Sequence, residues 1–155
     1  MVARLALRGP LYILDGGNAF QGYTLARALR RHTADIAGVM QQVMLSRAFT
    51  CYQMTTLLAG EPLAQHPALV LDFLAAFYDQ DVRAAERRRL LQICLRQLKK
   101  LSQHAPVMVW VRQRQVIPQD ALEFLEIVQA AAGQVWRPER LPAASQKQPA
   151  LLPGL

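Results

Sequence analysis

Short apolar runs that stop at a carboxylate or a turn residue restrict the fold of this chain more than any other feature. LYILD (11–15) begins after Pro10 and ends at Gly16 and Gly17. Runs of this length, apolar at nearly every position, suit strands buried on both faces. ALVLDFLAAF (68–77) has the same character, with Asp72 placed at a strand's carboxyl end, and VMVWV (107–111) follows Pro106. MLSRAF (44–49) is a further strand candidate, and QVWRPERL (134–141) a last one. Helical spacing fills the intervals at about 23–31, 35–43, 50–60 and 82–103. In the longest of these, Leu91, Cys94, Leu95, Leu98 and Leu101 form an apolar stripe. Pro118 suits the first turn of a helix that runs to about Ala132 and is capped by Gly133. Alternating strands and helices predict right-handed crossovers, an α/β domain and a mostly parallel central sheet. Ligands of such sheets bind at the carboxyl ends of the strands, where Asp15 and Asp72 both fall.

The 155 residues suit one domain, which buries enough surface to need no disulfide or metal staple. A hydrophobic content of 52% excludes wholesale disorder. No apolar run reaches the roughly 18–20 residues of a membrane span. Arg8 and Pro10 interrupt what a secretory signal would need to be unbroken. Cys51 and Cys94 lack metal-ligand spacing and read as reduced thiols, so a cytoplasmic protein without a zinc site is expected. From Pro142 the sequence PAASQKQPALLPGL has no periodicity, which gives an expected domain over 1–141 and a flexible tail over 142–155.

The net charge of +7 is unevenly spread. Between 83 and 114 lie Arg83, Arg87, Arg88, Arg89, Arg96, Lys99, Lys100, Arg112 and Arg114, opposed by Glu86 alone. Such a run is either a solvated helix face or a surface that attracts phosphate backbones. Other chemistry is thinly supported. His32, His66 and His104 are scattered, no nucleophile elbow is present, and GGN lacks the spacing of a dinucleotide loop. Trp136 beside Arg137 and Arg140 reads as a packing aromatic or a base-stacking one.

ILDGGNAF, YTLARALRR, SRAFTCYQMTTLL, ALVLDFLAAF, the long basic helix and VMVWVRQRQV together resemble the core of the RecA/RadA-type recombinases over 11–137. The resemblance implies a three-layer RecA-like α/β domain. Active members of that family carry an upstream GxxxxGK[ST] loop whose backbone and Lys cradle phosphates. This sequence has none, and Gly17 stands where the family's catalytic carboxylate would be. Asp72 matches the Walker B aspartate and Gln115 the polar sensor residue, so Asp15, Gly17, Asp72 and Gln115 are remnants of a nucleotide site. For Asp72 and Asp15 the readings are a strand-end carboxylate paired with a neighbouring Arg, or a weak metal ligand acting through water. A non-ATPase member is implied, with no cofactor and no metal. Its partners would be DNA or an active recombinase, as a repair or recombination accessory. Arg112 and Arg114 are the contacts that the resemblance favours, with Arg88, Arg96, Lys99 and Lys100 beside them. The alternatives are a SulA-like protein-interaction module that binds no nucleic acid, and a domain supplying Arg112 or Arg114 in trans to a partner's nucleotide. With the family's first central strand absent, an open sheet edge predicts a homodimer or heteromer.

Overall fold

The computed structural model describes residues 1–60 and 66–137. Its centre is a sheet of β1 (Leu11–Asp15), β2 (Val43–Arg47), β3 (Ala68–Leu71) and β4 (Val107–Val109) in the order β2-β1-β3-β4, every pairing parallel. Successive side chains of a strand point to opposite faces, and the continuous apolar runs supply both. Leu11, Ile13, Leu69 and Leu71 form one core, whereas Leu14, Ala68 and Val70 belong to another.

The first core is lined by α1 (Val2–Ala6) and by Val39 of α3 (Ile36–Gln41), with α2 (Gly22–Leu29) packed alongside through Leu25 and Leu29. The second is lined by α4 (Cys51–Leu58), α5 (Ala84–Leu101) and α6 (Phe124–Ala131). Local sequence sets the ends of these helices. Asp35 accepts from Gly38 N–H at 2.9 Å and Thr50 accepts from Gln53 N–H at 3.2 Å, each satisfying a first-turn donor.

Several expected elements are redrawn. ALVLDFLAAF is not one strand: β3 stops at Leu71, Asp72 adopts a left-handed conformation (φ 47°), and Phe73–Phe77 coils as a 3-10 turn. That turn drives Phe73 and Phe77 into the second core, where their rings meet edge to face at 5.2 Å. The helix expected from Pro118 to Ala132 divides into a 3-10 turn at Gln119–Ala121 and α6. Residues 134–137 form no strand; the rest of QVWRPERL and the expected tail over 142–155 lie outside the described residues. The long helix is shorter than its pattern by about a turn in total, and α1 occupies residues read as preceding the domain's first element. Among the described residues no helix is long and apolar enough to cross a membrane.

Because β3 and β4 run the same way, α5 must carry the chain back between them. The start of α5 therefore lies toward the carboxyl edge of the sheet, and its end toward the amino edge, ~27 Å away along an 18-residue helix.

Candidate functional site

The carboxyl edge gathers Asp15, Arg47, Asp72, Arg112 and Arg114 from the ends of all four strands. The two aspartates, 1% and 0% exposed, are used differently. Asp15 organises its own loop. Its Oδ1 accepts from the N–H groups of Gly17 (3.3 Å) and Ala19 (2.8 Å), and its Oδ2 accepts from Phe20 N–H at 2.9 Å. Arg47 Nε stands 3.6 Å from the same Oδ2, and Arg47 Nη2 donates to the Phe20 carbonyl. With its acceptors occupied in this way, Asp15 holds the turn after β1 in place.

Asp72 is held by arginine side chains, with Arg114 Nη2 donating a hydrogen bond to its Oδ2. Its Oδ2 lies 3.2 Å from Arg114 Nη2 and 3.8 Å from Arg112 Nε, while its buried Oδ1 has no hydrogen-bond partner among the described residues. The arginines are braced in turn, Arg114 over the Tyr78 ring at 5.4 Å and Arg112 over Trp110 at 5.5 Å. Burial pushes the Tyr78 hydroxyl up from its ordinary pKa, against the opposing pull of Arg114.

Gly17 is explained by the same carboxylate. A Cβ at position 17 would sit 2.1 Å from Asp72 Oδ2, and one at Gly16 would meet Met54 Cε at 2.8 Å and the Asp72 carbonyl at 2.9 Å. The glycine pair lets the turn after β1 pack directly on Asp72. No side chain could occupy position 17 while Asp72 keeps this position. Gln115 is exposed and makes no side-chain hydrogen bond among the described residues. No group of three or more His, Cys, Asp or Glu among those residues is placed to hold a metal ion.

The basic stretch divides along α5. Near its start, Arg88 pairs with Glu123 at 2.9 Å and Arg89 with Glu86 at 2.7 Å. Arg87, 1% exposed, pairs with Asp120, donates to the Phe77 carbonyl and lies over the Phe124 ring. Near its end, Arg96, Lys99 and Lys100 are exposed and pair with no acidic group among the described residues. Their i, i+3, i+4 spacing puts them on one face. The structure thus brings Asp72, Arg112 and Arg114 together and leaves Arg96, Lys99 and Lys100 at the opposite edge.

Arg47 and Arg87 were not among the sequence candidates, although each had a signal. Arg47 ends a strand neighbouring β1, which in a parallel sheet points it at the same edge as Asp15. Arg87 precedes Leu91 by four residues and Cys94 by seven, so it interrupts the apolar stripe and must be buried with it.

No protein-family model matches the chain, and no curated protein matches it.

Proposed function

We propose that the chain is a three-layer RecA-like domain, a non-catalytic accessory that binds DNA. The observation that carries the binding is the split of the basic stretch. Arg96, Lys99 and Lys100 are exposed on one helix face with no acidic partner among the described residues, and cations so placed are free to replace the counterions of a phosphate backbone. Arg112 and Arg114, favoured by the family resemblance, would first have to leave Asp72.

The absence of catalysis is supported from the other edge. A Walker-type aspartate needs a free carboxylate to reach magnesium bound to a nucleotide. Asp72 engages two guanidinium groups through its Oδ2, and the space at Gly17 is filled by that same carboxylate. Nothing remains at position 17 to activate a water.

The test is DNA affinity measured against salt. Arg96→Ala/Lys99→Ala/Lys100→Ala should lower the log–log slope by about three units, roughly one per phosphate contact, and weaken all sequences alike. Arg112→Ala/Arg114→Ala should change it less. Absence of binding by the wild type at low salt would end this reading. The SulA-like interaction module would then lead, supported by the exposed Phe49 (67%) and Tyr52 (50%) at the start of α4.

A further inference from the structure

We infer that β4 is the seam of a twofold dimer, pairing antiparallel with β4 of a second copy of this chain. This does not depend on DNA binding. Trp110 donates to the Val70 carbonyl and accepts from Phe73 N–H, and the Pro106 carbonyl accepts from Ala68 N–H. Residues 106 and 110 thus turn their backbone groups toward β3. By alternation, the N–H and C=O groups of Val107, Val109 and Val111 point away from it. Among the described residues no strand lies on that side. Pro106 does not block the edge, because the donor it lacks would have faced β3.

The strand is self-complementary. VMVWV reads the same in apolar character from either end about Val109. A twofold axis at Val109 makes Val109 a hydrogen-bonded pair with its own copy, and Val107 one with Val111 of the second copy. Met108 then stands directly opposite Trp110 of the second copy. These two side chains share the sheet face on which β4 is uncovered, 43% and 38% exposed, and a thioether against an indole is a favourable contact. Val107, Val109 and Val111, already packed on the second core, would extend that core across the axis.

Charge selects the antiparallel direction and a second copy of this chain as occupant. The five residues of the seam carry no charge, and Arg112 falls opposite Pro106 of the second copy. The two Arg112 side chains end up ~20 Å apart, beyond the screening length of physiological salt. The other edge, β2, offers no such match: an axis at Leu45 would set Arg47, which is engaged by Asp15, against Val43.

The experiment uses the full chain in three variants. By sedimentation equilibrium the wild type should have twice the 17.4 kDa mass of one chain. Met108→Lys, at an exposed position, should keep the fold by circular dichroism and become monomeric. Under mild oxidation, Met108→Cys mixed with Trp110→Cys should form an intermolecular disulfide. Neither variant should bridge alone, because a residue and its own copy are then diagonal neighbours ~7–8 Å apart. A monomeric wild type, a dimer indifferent to Met108→Lys, bridging within either single variant, or association only with a different protein would overturn the proposal.

Discussion

The carboxyl edge of the sheet and the far end of α5 hold the same kinds of residue in opposite electrical states. Around the edge, Arg47 is matched with Asp15, Arg112 and Arg114 with Asp72, and close by, Arg87 and Arg88 with Asp120 and Glu123, whereas Arg83 at the N-cap of α5 pairs with no acidic group among the described residues. At the end of α5, Arg96, Lys99 and Lys100 have no such match among the described residues. A run of positive charge in a sequence is therefore two different things in this molecule. One part cements loops onto a buried carboxylate, and the other leaves a surface potential. Net charge measures neither. What separates them is which end of a crossover helix each residue occupies, and that follows from the parallel order of β3 and β4.

The largest expected effect lies inside α5 itself. Arg87→Ala removes the donor to the Phe77 carbonyl, the contact with Phe124 and the partner of Asp120, and it opens a void in the second core. A loss of about 3–5 kcal/mol is expected in urea unfolding. Arg96→Ala, nine residues along the same helix, should shift stability by no more than about 0.5 kcal/mol. Equal costs at the two positions would erase the distinction between cementing and free arginines.

Gly17→Ala comes next, at about 1–3 kcal/mol, because the new methyl group must displace the Asp72 carboxylate. Asp72→Ala in the same chain should recover part of that loss, a coupling within the roughly 0.5–3 kcal/mol range of contacting residues. Asp72→Ala alone also sharpens the comparison between the two regions. It releases Arg112 and Arg114, so the salt slope for DNA should rise by up to about two units. An unchanged slope would mean that the carboxyl edge never faces DNA.

These residues also mark where the sequence was legible. Strands within LYILD, ALVLDFLAAF and VMVWV, the helices between them and a mostly parallel sheet follow from apolar runs and helical spacing, which report burial directly, although β3 stops at Leu71 and β4 at Val109 and every pairing is parallel. The reversal at Asp72 did not. LDFLAAF is apolar enough for either a strand or a buried turn, and a left-handed aspartate has no sequence mark of its own. The site was half legible. Asp15, Asp72, Arg112 and Arg114 were placed at one edge by topology, but that a single oxygen of Asp72 meets both arginines depends on the path after Val109. The reason for Gly17 was hidden too, since the atom that excludes a side chain there comes from a residue 55 positions away.

A smaller effect tests the side of the second core that faces neither region. Burial pushes the Cys94 thiol up to about 11, with Thr55 as its hydrogen-bond partner at 3.3 Å. Thr55 already donates to the Cys51 carbonyl, so the thiol proton points at Thr55 Oγ1. Unfolding returns the thiol to its ordinary value of 9.0, so above that pH the unfolded chain binds fewer protons than the native one. Stability therefore falls as pH rises from 9 toward 11, by about 1 kcal/mol at pH 10 for this group. Alkylation of the native protein at pH 8 should be negligible and in denaturant complete. Rapid native labelling of Cys94 would show that α4 and α5 separate readily.

The smallest effect bears most directly on the free end of α5. Lys99 and Lys100 lie in the last turn, where the helix dipole favours positive charge by about 0.3–1 kcal/mol. Arg96 lies a turn earlier, where that attraction has faded, and Lys99 and Lys100 stand at i+3 and i+4 from it. Each such like-charge pair costs about 0.2–0.5 kcal/mol. The sum for Arg96 is repulsion with little to offset it. Arg96→Ala should then leave the protein unchanged or raise its stability by a few tenths of a kcal/mol at low salt. The gain should vanish at about 0.5 M salt, where screening is nearly complete at these distances. Lys99→Ala should go the other way, since it gives up the dipole interaction along with one repulsion. If Arg96→Ala destabilises in a salt-independent manner, Arg96 has a packing role and the end of α5 resembles its start. If the predicted signs hold, the third charge on that face is carried at a small cost to folding and contributes only to what the face attracts.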